Sequence, residues 1–566
     1  MNLKCLLTSL AVPFLLLSSS EAGTAPQVLG VADGTLVIDG PCDFVDMIMA
    51  RKSPNGKELV RKRSRDGGVS WSKPATIFRQ LPQKFGRPLA LRTSDGELQL
   101  FWLVRRGRGK PGVDYLIDIW HSHSSDRQSV WSEPKLIYKG YVGSINGMTQ
   151  LENGRIILPF AYWLGGVRRA PPVGPNITTT LYSDDGGHTW KGPEAKLTAP
   201  CYENYNGDNV GAVEPSVVQL QDGRVWMLIR TQTGWMYESF SKDGAEWSPT
   251  TRSRFCSSNS PAWLVRTSNG RLVVFWNNCE NTSRIDKAGV YTNRDALHAA
   301  VSNNEGQSWH GYREVCRDPF RNQPPPKRGD RGTAYPYATP TADGKILLVT
   351  GQGHGRRNLV RFDPAWLDET YHEDDFSGGL DGWSVFTSFG KPIYWWRNRT
   401  VGPRLIDHPD KVGAKVLQVR RADDKPGDGA VWNFPAGVIG KLTIRIKLLP
   451  KFAGCNIALA DRFIQPTDNI GEKKVLFALP ITSDGELPSG HKLQKGRWYS
   501  IALDWDLSAA KCSVSIDGKP AAKLDQSHKG TAGACYLRLR STAKSTDMDG
   551  FLLDKVAVDV KNDSRK

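Results

Sequence analysis

The sequence predicts an all-β molecule, a six-bladed β-propeller followed by a β-sandwich of the jelly-roll kind, and three observations carry that reading. A short box of Ser, Asp, Gly and Trp returns five times on a period near 60 residues. An Asp-Gly or Asn-Gly turn between short apolar runs returns six times over the same stretch. Beyond Trp366 this register stops while short alternating runs continue, and no long helical period interrupts either part.

The first box is Ser64-Arg65-Asp66-Gly67-Gly68-Val69-Ser70-Trp71, and Ser183, Asp185, Gly187, Thr189 and Trp190 repeat its spacing. Ser124, Asp126, Ser129 and Trp131 keep the frame with Gln128 in place of the second Gly, and Ser302, Asn304, Gly306, Ser308 and Trp309 carry Asn in place of Asp. Ser241, Asp243 and Trp247 are one residue shorter. The opening serines stand 60, 59, 58 and 61 residues apart, a period that marks repeated supersecondary units. Asp accepts backbone N–H groups inside a tight turn, Gly takes the positive φ, and Trp buries its ring between units. The box acids are therefore structural rather than catalytic.

The turn glycines are Gly34, Gly96, Gly154, Gly223, Gly270 and Gly344, each between runs that read as a strand, a hairpin turn and a strand. Ser216 to Leu220 and Arg224 to Ile229 flank one such turn, and Trp235 to Phe240 then leads into a box. Four-stranded blades on this period place six blades in residues 23–372. Residues 373–566 form a second domain, in which Lys441 to Leu448, Trp498 to Trp505 and Cys512 to Ile516 alternate as antiparallel strands, the last followed by an Asp517-Gly518 turn. This domain is expected to fold alone and to serve targeting or packing, and Tyr394-Trp395-Trp396 offers rings that could stack on sugars.

Residues 1–22 read as an export signal, with Lys4 before the apolar run Cys5 to Leu17 and small residues before Gly23. The run is too short for a membrane span, so the chain is expected to be secreted, periplasmic or extracellular, with no transmembrane segment. The formal charge of +17 is spread over both domains, which suits attraction to anionic glycans or a solvated surface. An exported chain without a basic stripe is not expected to bind nucleic acid. Cys42, Cys201, Cys256, Cys279, Cys316, Cys455, Cys512 and Cys535 are scattered, offering no short Cys-Cys metal pair, and no cofactor is implied. One or two disulfides are compatible with export.

The Ser-x-Asp-x-Gly-x-Thr-Trp boxes resemble the Asp-box repeats of the sialidase (neuraminidase) superfamily across the whole propeller. Gly496-Arg497-Trp498-Tyr499-Ser500-Ile501-Ala502-Leu503-Asp504-Trp505, with Ile516-Asp517-Gly518-Lys519, resembles concanavalin-like and laminin-G-like domains. The first resemblance implies a Glu and a nucleophilic Tyr at the starts of two innermost strands. Glu214 lies nine residues before Gly223 and Tyr335 nine before Gly344, each followed by Pro, so both belong at the rim of the central channel. A Glu beside Tyr makes chemical sense, because a base must take the phenol proton before the oxygen attacks an anomeric carbon.

The resemblance also implies three Arg side chains holding a substrate carboxylate, whose planar forks match it bidentately. Arg230, seven residues after Gly223, and Arg294, eight before Ser302, stand at two of these places. The first-blade Arg is missing, since Pro26, eight before Gly34, follows Thr24-Ala25. Arg87, nine before Gly96 and followed by Pro88, is the candidate third anion ligand. The loop expected to hold an acid/base Asp reads Lys52-Ser53-Pro54-Asn55-Gly56-Lys57, leaving Asp43 and Asp46 as the nearest substitutes. The expected function is an exo-α-sialidase-like glycosidase releasing a terminal acidic sugar. The departures keep two alternatives open: a glycosidase or lyase acting on another acidic or sulfated glycan, and a non-catalytic glycan-binding propeller.

Overall fold

In the computed structural model, residues 23–32, 34–36, 43–54, 56–81, 85–124, 130–164, 174–201, 211–280, 294–323, 332–352, 357–388, 399–423, 427–467, 471–530 and 532–561 are described. Six separate antiparallel sheets fill the first two thirds of the chain, and these are the blades. From the channel outward, blade I is Thr35–Leu36, Val45–Ser53, Gly56–Ser64 and Ala75–Leu81, and blade II is Phe85–Arg92, Leu98–Gly107, Tyr115–Ser124 and Lys135–Tyr138. Blade III has Thr149–Gln150, Ile156–Trp163 and Asn176–Ser183, with bridges Thr178 to Leu197 and Tyr182 to Lys191 along its outer edge. Blade IV is Val213–Gln219, Val225–Arg230, Trp235–Ser241 and Thr251–Cys256. Blade V is Trp263–Arg266, Leu272–Trp276, Ala296–Ser302 and His310–Arg317.

Blade VI takes Tyr337–Pro340, Ile346–Thr350 and Asn358–Phe362 from the end of this region and its outermost strand, Gln27–Val31, from the beginning. The ring is thus closed by the first described strand, which joins the two ends of the propeller region in one blade. This closure corrects the first turn assignment. Gly96, Gly154, Gly223, Gly270 and Gly344 turn with φ between 77° and 88°, but Gly34 links the closing strand of blade VI to blade I and is no hairpin turn. Pro26, counted from Gly34, therefore starts no innermost strand.

The boxes sit where third strands end, and their chemistry is the expected one. The Ser64 hydroxyl donates to Asp66 and accepts from the Gly68 N–H, while Asp66 accepts from the Ser70 N–H at 2.9 Å. The Trp71 indole N–H closes the turn on the Gly68 carbonyl at 3.0 Å. The same pattern recurs at Ser183, Asp185, Gly187 and Thr189. Hydrogen bonds from Ser70 and Thr189 hold the Asp66 and Asp185 carboxyls down at about 2, so both are charged turn-builders.

After a 3-10 turn at Pro364–Asp368 the chain forms two packed sheets. The larger runs Arg404–Asp407, Lys415–Arg421, Asp547–Lys561, Ile439–Leu448, Trp498–Asp506, Lys511–Ile516, Lys519–Asp525, with Tyr371–Asp374 also paired to Asp547–Lys561. The smaller runs Trp383–Ser384, Gly429–Gly437, Ala534–Ser541, Cys455–Ala460, Phe477–Ile481. Ile439–Leu448 buries every second residue, as a strand with one wet face must, whereas Gly429–Gly437 is buried throughout.

The reason is that the smaller sheet is covered on both faces. Trp432 and Phe434 enter the sandwich core, while Val431, Ala436, Ala458, Ala460 and Tyr536 pack with Trp226, Phe255, Trp276 and Tyr312 of blades IV and V. Polar ties cross the same seam. Asn433 accepts from the Glu314 N–H and donates to the Tyr312 carbonyl, and the Tyr536 hydroxyl lies between His298 and Glu314. The sandwich thus has its own core and, in addition, an apolar face packed against blades IV and V. Cys256, Cys316, Cys455, Cys512 and Cys535 are buried thiols, and Cys42 and Tyr394-Trp395-Trp396 lie outside the described residues, as do residues 1–22. Among the described residues no helix is long and apolar enough to cross a membrane.

Candidate active site

Innermost strands run from the channel rim toward the Asp-Gly turns, so what begins such a strand faces the rim. Glu214 and Tyr335 both do so, and both hold the left-handed conformation, with φ of 47° and 60°. Non-glycine residues rarely adopt it, and at matching positions of two blades it turns each side chain off the sheet. In blade IV the pairing with the second strand skips between Val213 and Ser216, a bulge that lifts Glu214 out of the ladder. Val213 pairs directly with Arg230, the last residue of the second strand, which brings its guanidinium to the Glu214 carboxylate.

Four side chains meet there. The Tyr335 hydroxyl donates to Glu214 Oε1 at 3.3 Å, and Arg230 Nη1 donates to Glu214 Oε2 and, at 3.2 Å, to the Tyr335 oxygen. Arg294 lies over the Tyr335 ring, 5.6 Å from its centroid. Asn259 joins the two arginines: its Oδ1 accepts from Arg230 Nε at 2.7 Å and its main-chain carbonyl from Arg294 Nη2 at 2.5 Å. Gln352 Oε1 takes Arg294 Nη1 at 2.7 Å. The backbone before Tyr335 is pinned as well, because the Thr333 N–H donates to the Arg294 carbonyl at 2.6 Å. Beside it Gly332, with φ of 100°, comes so near that a Cβ would stand 2.4 Å from that carbonyl.

A model of the BNR repeat-like domain matches residues 55–348, more than half of the chain. The chain belongs to that family. Similar solved structures include the sialidase of Trypanosoma rangeli, 13% identical over 94% of this chain and 92% of that one, with a TM-score of 0.39. The intramolecular trans-sialidase of Ruminococcus gnavus, solved with oseltamivir carboxylate, is 12% identical over 62% of this chain and 96% of that one, with a TM-score of 0.39. A Dyadobacter fermentans protein of unknown function is 17% identical over 60% of this chain and 96% of that one, with a TM-score of 0.42.

In this BNR repeat-like protein the electrostatics of the cluster favour an anion. Arg230 is wholly buried; burial pulls its pKa down, but Glu214 and Tyr335 outweigh burial and hold it above the usual guanidinium value. Its Nη2 is a buried donor with no hydrogen-bond partner among the described residues. Among the described residues the Arg230 and Arg294 guanidinium groups lie on either side of Tyr335, and Arg230 Nη2 is a donor still to be satisfied.

Two sequence candidates do not belong here. Asp46 begins the second strand of blade I, at the end where the boxes and turns lie, and is buried between Arg63 at 2.8 Å and Arg92 at 3.0 Å. Arg92 also donates to the Gly96 carbonyl of the blade II turn, which fixes Asp46 at the end of the propeller away from Tyr335. Asp43, just before it, is exposed and paired with Arg65. Distance along the chain misled: the second strand of a blade starts at the turn end, so a residue slightly upstream of the expected loop lies one strand length away. Ser53 and Gly56 close a tight hairpin between the second and third strands, at the end of the blade where the expected acid would stand.

Arg87 lies on the innermost strand of blade II, where the pairing skips between Gly86 and Leu89 as it does at Glu214, and its side chain lies outside the described residues. Asn259 and Gln352 escaped the sequence reading. Asn259 sits in Ser257-Ser258-Asn259-Ser260, which reads as an ordinary polar loop yet is buried throughout. A polar run between two strands that must be wholly covered was the one available sign.

Proposed function

We propose that the protein is a sialidase-type glycosidase that releases a terminal acidic sugar. The observation that carries this reading is the Tyr335 hydroxyl held between the Glu214 carboxylate and the Arg230 guanidinium. As the Tyr335 oxygen bonds to the anomeric carbon the glycosidic C–O bond breaks, the phenol proton passes to Glu214, and the aglycone leaves with a proton taken from solvent. Water then displaces Tyr335 from the sugar, giving a proton back to solvent while Glu214 returns the phenol proton, and Arg230 Nη1 steadies the negative charge on the phenol oxygen in both steps. A neutral nucleophile suits an anionic substrate, since no carboxylate must approach another. Arg230 Nη2 and the Arg294 guanidinium supply the grip on the sugar's acid group, with Arg87 as a third ligand from the innermost strand of blade II.

The substrate is an acidic glycan or glycoconjugate met outside the cytoplasm, in keeping with the export signal. One observation favours a sugar other than sialic acid: the tight Ser53–Gly56 hairpin brings no carboxyl to the place where the family resemblance puts the acid/base Asp. A panel of fluorogenic sialosides and uronosides tests both readings. Release from a sialoside supports the first, release from a uronoside alone supports the second, and retention on acidic glycans without release from any supports a binding protein.

A further inference from the structure

We propose that Asn259 is a positioning residue that sets the spacing of the two arginines through neutral acceptors, an inference that rests on the anion grip proposed above. Arg230 and Arg294 come from different blades and repel each other. One residue accepts from both, through its side-chain oxygen to Arg230 Nε and its main-chain oxygen to Arg294 Nη2. A neutral amide does this without cancelling either cation, which a carboxylate at the same place could not.

The segment that carries Asn259 is built to hold still. Ser257, Ser258, Asn259 and Ser260 are at most 1% exposed. The Ser258 N–H donates to the Asn277 carbonyl at 3.2 Å and the Ser260 hydroxyl to Asn277 Oδ1 at 2.7 Å. Asn277 in turn donates to the Ala296 carbonyl at 2.7 Å, two residues from Arg294. The sandwich braces the same segment from outside. Arg462 Nη1 reaches Cys256 Sγ at 3.1 Å and Glu280 at 3.2 Å, and Asn278 Nδ2 donates to the Asp461 carbonyl at 3.0 Å. The amide therefore lies at the end of a hydrogen-bonded frame that fixes both guanidinium groups before any substrate arrives.

The test compares binding of N-acetylneuraminic acid and galacturonic acid with binding of their methyl esters, by titration calorimetry on the full chain. The readout is the preference for free acid over ester, which a general loosening of the site would not change selectively. Wild type is expected to prefer the acid for at least one sugar, and Arg230→Ala to lose that preference; failure of either result removes the anion grip and this inference with it. Asn259→Asp keeps shape and acceptor but brings a negative charge, so it should fold with an unchanged or higher Tm while its acid preference drops about tenfold, the size of one charge-assisted hydrogen bond. Asn259→Ala should show a similar drop. An Asn259→Asp protein that keeps the wild-type preference while Arg230→Ala loses it, or that fails to fold, overturns the role of Asn259 and leaves the grip standing.

Discussion

Tyr335 and Glu214 share a following proline and the same count back from a turn glycine, and for that reason were legible in the sequence, whereas their shared positive φ is visible only in the structure. A repeat register turns chain position into spatial position, so two residues far apart in the chain could be placed at one rim. Tyr335→Phe removes only the hydroxyl, and is expected to abolish turnover with an unchanged melting curve; wild-type rates would dismiss the nucleophile. Glu214→Gln has a second consequence that only the structure reveals. It leaves the buried Arg230 without its counter-charge, so a stability loss of about 3 kcal/mol should accompany the loss of activity. Urea unfolding measures it, and an unchanged midpoint would show that water or another acid compensates Arg230.

At the scale of elements, the boxes and turns account for five of the six blade hairpins, and the exception is instructive. Asp33-Gly34 has the same local chemistry as the other turns, but the strand before it pairs with Asn358–Phe362. Pairing between chain ends is a long-range choice that local turn residues do not encode. Asp46 failed for a related reason, because the direction of its strand, not its distance from the loop, decides which end of the propeller it reaches. Glycines at close approaches give a sharp test of the element account. A Cβ on Gly187, whose φ is 90°, would stand 2.1 Å from Gln99 Oε1 of the neighbouring blade. Gly187→Ala should therefore cost about 1–3 kcal/mol, read by thermal or urea unfolding, and a neutral result would mean that the box turn is more pliant than its hydrogen bonds imply.

At the scale of the whole molecule, the two domains share a core. The alternation in residues 373–566 announced a sandwich, yet the face that Val431, Ala458 and Tyr536 present to the propeller could not be told from the face that enters the sandwich, since a strand buried on both sides loses its period. Calorimetry should accordingly show one unfolding transition, and two well-separated transitions would contradict the shared core. The seams between units also carry buried neutral imidazoles. Burial holds His298, at the domain seam, down to about 4 and His121, between blades II and III, down to about 3, both from 6.5. Below pH 6.5 the unfolded chain binds protons that the folded one refuses, so stability falls as pH drops from 6.5 toward 4. His298→Gln, neutral at every pH, should flatten the fall in Tm between pH 6.5 and 4.5, and an equally steep fall would assign the acid sensitivity elsewhere.

In the proposed function Tyr335, activated by Glu214 and Arg230, opens the glycosidic bond of a terminal acidic sugar. The most direct measurement is fluorophore release from sialosides and uronosides by the wild-type chain and by Tyr335→Phe, side by side. Release is expected from at least one acidic glycoside with the wild type, and none above background with the variant. Release that persists in Tyr335→Phe, or that occurs only with neutral glycosides, would contradict it.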